Sequence, residues 1–218
     1  MADERPEESN PLFDPTQDVV ADTAALRGIA HPMRLRLLGL LRVYGPLTAT
    51  KLAEQCEASS GLTSYHLRQL AEAGYVVDAK PEDLAHVTDA GGRQRWWKAV
   101  ARTTFAASRP HDDEEAQAIG DEFARSALTA VSANAGRWLS VSHSWPWSWR
   151  QTATFTDVPL RLTHEEAEQL NEDIAAVLAR YPRHDPSQSR ADDGSVIVSA
   201  QYQIFPAPEQ EPPDNGGH

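Results

Sequence analysis

Between residues 20 and 80 the apolar positions recur at helical spacing in successive blocks, each bounded by a residue suited to a helix end. Asp22 is placed to cap a helix through Ile29. Pro32 suits the first position of the next helix, where its missing N–H would be unpaired in any case. Leu37, Leu40, Leu41 and Tyr44 then share one stripe, and Gly45-Pro46 stops it. Thr48 opens a third helix with Leu52, Ala53 and Cys56 on one side. Ser59 or Ser60 caps a fourth, which carries Thr63, Leu67, Leu70 and Ala71 inward and leaves Ser64, Tyr65 and Arg68 on the opposite face. Beyond it the pattern shortens. Tyr75 to Lys80 reads as a strand, Asp89-Ala90-Gly91-Gly92 as a flexible tip and Arg93 to Val100 as the returning strand, so that Arg93 and Arg95 project from one face of a hairpin.

The second half is organised differently. Ser108-Arg109-Pro110-His111 reads as a linker, and Asp112 to Trp138 as a helix led by acidic residues that suit its N-terminal dipole. Ile119, Phe123, Ala127, Ala130 and Val131 form its apolar stripe. Trp147 to Phe155 alternates like a strand, and Val158 to Leu162 continues it or forms another. Thr163 and Glu166 form a capping box ahead of a helix whose buried face is Ala167, Leu170, Ile174, Val177 and Leu178. After a polar loop from His184 to Gly194, the run Ser195 to Phe205 is a strand with apolar residues on both faces. Residues 1–18 and 206–218 read as disordered tails, being rich in proline and acidic side chains. The class is therefore α+β: an N-terminal domain over 19–107, then a helix and a small α/β module over 111–205.

Two short helices about a tight turn, followed by a hairpin, are a shape that reads DNA. Leu52-Ala53, the stretch Ser59 to Leu70 ending in His66-Leu67-Arg68-Gln69-Leu70, and Ala73-Gly74-Tyr75-Val76 resemble the helix-turn-helix of winged-helix repressors, most closely the ArsR-type regulators. The resemblance covers roughly residues 20 to 105. Two positions depart from it. The turn residue usually filled by glycine is Glu57, and the apolar anchor of the second helix is Thr63. A left-handed Glu57 costs on the order of 1 to 2 kcal/mol.

The resemblance implies a sequence-specific transcriptional regulator, a repressor that binds a palindromic operator in double-stranded DNA as a homodimer. It also implies a wing that touches the sugar-phosphate backbone or the adjacent minor groove, and a helix after the wing that pairs with the N-terminal helix across a dimer axis. On the second helix the candidate DNA contacts are Ser59, Ser60, Gly61, Ser64, Tyr65, His66, Arg68 and Gln69; on the wing they are Arg93 and Arg95. His66 either packs or touches phosphate. The alternative is a protein-binding winged helix that recruits or antagonises another regulator.

The net charge of −12 argues against nucleic acid until its distribution is considered, because phosphate neutralisation supplies most non-specific affinity. Between Arg27 and Arg102 there are 11 Lys and Arg against 7 Asp and Glu, while the remainder holds 9 against 25. The acidic excess lies outside the candidate reader. The single Cys56 excludes an internal disulfide and fits a reducing compartment, so a cytoplasmic location is expected. No apolar run reaches the length of a membrane span, and the acidic start Met1-Ala2-Asp3-Glu4 is unlike a secretory signal.

Relatives of this class often sense metals through paired cysteines or through Asp/His sets on the helix after the wing; neither pattern occurs here. The helix from Asp112 to Trp138 has no histidine, and His143, His164 and His184 lie in different segments, so no metal or cofactor is expected. Trp138, Trp145, Trp147 and Trp149 are concentrated in one stretch. They are either core and interface residues or the lining of an apolar pocket for a small-molecule effector. Nothing resembles a phosphate loop, a nucleophile with its base or a supported carboxylate pair, and Glu165-Glu166 is explained by capping. Binding, and not catalysis, is the expected work.

Overall fold

Strand β1 (Asp18–Ala21) runs parallel to β5 (Thr103–Ala106), and between them the chain builds four helices and a second sheet. The structure is a computed structural model and describes residues 10–85, 87, 94–106, 114–188 and 194–211. Helix α1 (Thr23–Ile29) begins where Asp22 Oδ1 accepts from the Ala25 N–H at 2.9 Å. Helix α2 (Pro32–Tyr44) is capped by His31, whose Nδ1 accepts from the Met33 N–H at 3.0 Å, and it ends at Gly45 with φ 76°. Helix α3 (Ala49–Cys56) starts at the Thr48 hydroxyl, and α4 (Ser60–Glu72) at the Ser59 hydroxyl rather than that of Ser60.

The turn between α3 and α4 is left-handed at Glu57, with φ 52° and ψ 42°. The strain holds because the turn closes on itself. The Glu57 N–H donates to the Glu54 carbonyl at 3.3 Å and the Ala58 N–H to the Ala53 carbonyl at 3.0 Å, which satisfies the end of α3.

Leu26, Ile29, Leu37, Leu38, Leu41, Leu52, Leu67 and Leu70 meet in one core with Val76 and Trp97. Tyr44, expected on the α2 stripe, is 57% exposed, and Leu38 lies fully inside instead. At Gly28 a Cβ would come within 2.4 Å of the Ala73 Cβ, so α1 reaches the end of α4 only because that position is bare. Strands β2 (Leu47–Thr48), β3 (Val76–Asp78) and β4 (Trp96–Ala99) form an antiparallel sheet in the order β2-β4-β3. This is the root of the wing. The tip from Asp89 to Gly92, Arg93 and the linker Ser108 to His111 lie outside the described residues.

Residues 10–18, expected in a disordered tail, fold against the domain. Phe13 meets Phe105 edge to face at 5.5 Å, and Asp18 accepts a two-pronged hydrogen bond from Arg183 at 2.6 and 2.9 Å. Arg183 also donates to the Leu12 carbonyl and the Thr103 hydroxyl, so one guanidinium ties the C-terminal segment to both parallel strands. From the other side, Arg42 on α2 donates to the Ala101 carbonyl and the Thr104 hydroxyl.

Helix α5 (Glu114–Val141) is three residues longer at its C-terminal end than the sequence pattern predicts. Ile119 and Phe123 pack on the core, Ser126 is buried, and Ala127, Ala130 and Val131 are only half-buried. The expected strand from Trp147 is replaced at its start by the short helix α6 (Trp147–Arg150). Pro146 explains the change: it has no N–H for a ladder, but its carbonyl accepts from the Trp149 and Arg150 amides. Helix α7 (His164–Leu178) carries the expected capping box, with Thr163 and Glu166 each accepting from the other's amide. Of its expected inner face, Val177 is exposed, whereas Ala175 is buried.

The predicted strands over 153–162 and 195–205 are extended but belong to no sheet. Alternation specifies an extended backbone, whereas a strand also needs a neighbour. The α+β class therefore rests on the two small sheets of the N-terminal half.

Arg183→Ala leaves the buried Asp18 carboxylate unpaired and should lower the unfolding free energy by about 3 kcal/mol in urea titration. Glu57→Gly removes left-handed strain and should raise it by up to about 1 kcal/mol, since the gain is partly offset by unfolded-chain entropy.

Candidate nucleic-acid interface

Helix α4 is two-sided. Thr63, Leu67 and Leu70 are fully buried against α2 and α3, and the helical period then turns Ser60, Gly61, Tyr65 and Arg68 outward. Ser64 is half-buried and Tyr65 is 50% exposed. Ser59 is exposed, and its hydroxyl oxygen accepts from the Leu62 amide. Gln69 is half-buried and donates to Glu72 at 2.8 Å, so its amide is engaged along its own helix.

His66 does not join that face. It is 6% exposed, stacks on His31 with ring centroids 4.6 Å apart, and has a buried Nδ1 without a partner. This corrects its place among the expected DNA contacts, because one position along a helix turns a side chain by about 100°. The Thr63 hydroxyl is likewise buried and unpartnered, so the polar atom at the family's apolar position has only its methyl well accommodated.

A cleft of about 320 Å³ lies between the outer face of α4 and the wing root. Ser64 and Arg68 line one wall, Gln94, Arg95 and Trp97 the other, and Thr48 with Thr50 at the start of α3 close the end. Arg95 lies flat over Trp97, 3.8 Å from the ring centroid, and its guanidinium is ion-paired to Asp78. Such an exposed pair is worth roughly 1 kcal/mol or less, so a phosphate can compete for it. Lys51 sits over the Trp96 ring at 5.1 Å. Thr48, Thr50, Gln94 and the two aromatic platforms were missed in the sequence; the Trp96-Trp97 pair beside Arg95 was the one available signal.

The tryptophans of the second half are not gathered into one pocket. Trp138 and Trp145 meet edge to face at 5.5 Å, Trp149 is half-buried, and Trp147 is 68% exposed with Arg150 near its ring. A second cleft lies elsewhere, between α1 and α5, lined by Arg27, Ala30, Arg34, Ala118, Ile119 and Glu122. Cys56 is half-buried, and burial pushes its thiol pKa up. Among the described residues no group of three or more His, Cys, Asp or Glu is placed to hold a metal ion, and no helix is long and apolar enough to cross a membrane.

The family model described as a helix-turn-helix domain matches residues 29–76, which run from the end of α1 into β3. That segment is the helix-turn-helix module of DNA-binding regulators. No curated protein matches the chain.

Burial pushes the His66 pKa below its ordinary value of 6.5, and His31 and Arg34 nearby push it further. His31 is shifted the same way, again mainly by burial. A histidine held neutral in the fold contributes stability above its unfolded pKa and loses it as pH falls through that value toward the folded one. Urea unfolding should therefore weaken from about pH 7 to about pH 5, and His66→Leu should flatten that slope. The acidic limb from Asp83, held low by Lys98, lies at lower pH and should be unchanged.

Proposed function

We propose that the protein is a cytoplasmic transcriptional repressor that binds a palindromic operator as a homodimer and carries out no catalysis. The observation that carries this reading is the exposed face of α4, bare on one side and buried on the other, standing beside a wing-root cleft that holds two arginines. In such an arrangement Arg68 and Tyr65 read base edges in the major groove. Ser60, Ser64 and Gly61 allow close approach to the backbone, and Arg95 holds a phosphate. Arg93 extends the same contact along the wing. Two copies related by a two-fold axis set their α4 helices about 34 to 36 Å apart, one turn of duplex, and occupancy blocks polymerase.

Support for the dimer comes from α5. It packs on α1 and α2 along its first half, yet a 28-residue helix with a single buried residue leaves most of its length uncovered. The more basic stretch from Arg27 to Arg102 faces the nucleic acid, and the acidic remainder faces away, which suits a reader whose affinity is set locally. The rival is a winged helix that binds another protein, for which the same two-sided α4 suffices.

Fragments enriched from genomic DNA decide between them. The parent should bind its selected site with a steeply negative dependence of log affinity on log salt. Arg68→Ala should weaken that site by about 1 to 3 kcal/mol while leaving the fold intact. Equal binding by parent and variant removes Arg68 from the interface, and failure to enrich any DNA favours the protein-binding rival.

A further inference from the structure

Two extended runs of the C-terminal half, 154–162 and 196–205, have no backbone partner. Among the described residues none of their N–H groups donates to a backbone carbonyl, and none of their carbonyls accepts from a backbone amide. They also leave apolar side chains in water. Phe155, Val158 and Leu160 on the first run, and Ile197, Val198 and Phe205 on the second, are each half to two-thirds exposed. Protein chains pair nearly all the backbone groups they remove from water and guard the strand edges they leave open.

The two runs are guarded differently. The first contains Pro159, Asp157 and Arg161, the residue types that keep an edge strand solitary. The second, Val196 to Phe205, holds neither a proline nor a charge, and Val, Ile, Tyr and Phe give it high strand propensity. Its one side-chain tether is to α5, where Asn134 donates to the Ser199 hydroxyl at 3.2 Å. It is an unguarded edge held against the uncovered helix.

We propose that residues 196–205 are completed as a β-strand by a second copy of this chain, forming a sheet shared between the two C-terminal modules. This rests on the homodimer within the proposed function and adds the surface that builds it. Three features select a second copy over another partner. A two-fold contact meets the open edge of each chain with the same element of the other, so both are satisfied at once. The strand is uncharged in a chain of net charge −12, which makes it one place where two acidic copies can approach without repulsion. The six apolar side chains offer on the order of 700 Å² per copy, close to the roughly 800 Å² per partner of a stable interface.

The test uses the full chain in solution, with mass from light scattering and backbone hydrogen exchange at two concentrations. At about 10 μM the protein should be a dimer with the amides of 196–205 slowed about 100-fold or more relative to free chain, and dilution should release that protection. Val198→Pro removes a ladder donor and should weaken dimerisation tenfold or more. The variant's far-UV spectrum should match that of the dilute parent, because Val198 touches no core residue in the single chain. A monomeric parent, a dimer whose 196–205 amides exchange as free chain, protection that survives dilution to monomer, or a Val198→Pro variant that dimerises equally each overturns the proposal. Protected amides in a protein that binds no DNA sink the regulatory reading and leave the shared strand standing. DNA binding with unprotected amides does the reverse.

Discussion

The packing of one side of α4 sets what its other side offers. Thr63, Leu67 and Leu70 are wholly buried against α2 and α3, and the helix cannot rotate without exposing them. Fixed rotation makes Tyr65 and Arg68 outward residues and His66 an inward one. The same constraint explains why imperfect residues persist beneath the helix. A buried threonine hydroxyl and an unpartnered histidine nitrogen each carry a desolvation cost, and the apolar contacts around them outweigh it. The left-handed Glu57 belongs to the same balance, since the turn it makes lets α4 cross α3 at all.

A second constraint ties the halves of the chain together. Arg183 grips Asp18 and Thr103 on the parallel pair β1 and β5, and His184 reaches the Val43 carbonyl at 2.7 Å. The C-terminal half is thus anchored to the back of the reader, on the strands and on α2. Any rearrangement of that half would reach α4 through α2 and the shared core, because no printed hydrogen bond links it to α4 directly. In the wing, Arg95 is pre-positioned over Trp97 by Asp78, so its charge is aimed at the cleft and its rotamer is largely set before any phosphate arrives.

Legibility along the chain followed the range of the interactions involved. The caps at Asp22, Thr48, Ser59 and Thr163, and the Pro32 start, were readable because each satisfies an amide within three residues of itself. His31 was missed as a cap since histidine seldom serves as one. The outward residues Tyr65 and Arg68 were legible from periodicity, whereas His66, at the boundary between the two faces, was not. Trp147 was read as strand from alternation, and the carbonyl of Pro146 gave it a helical turn instead.

The sequence by itself determined the order of helices, their ends, the sidedness of α4 and the left-handed demand on Glu57, because capping and helical period are local and repeat wherever the residues do. Only the tertiary structure decided that residues 10–18 belong to the fold, that Arg183 closes the parallel pair, that Arg95 lies on Trp97 beside the cleft, and that the last extended run finds no neighbour in its own chain. Those outcomes depend on which surfaces meet across scores of residues. A strand's partner, a buried charge's counterion and a platform's cation are set by distance in space, which a one-dimensional pattern does not encode.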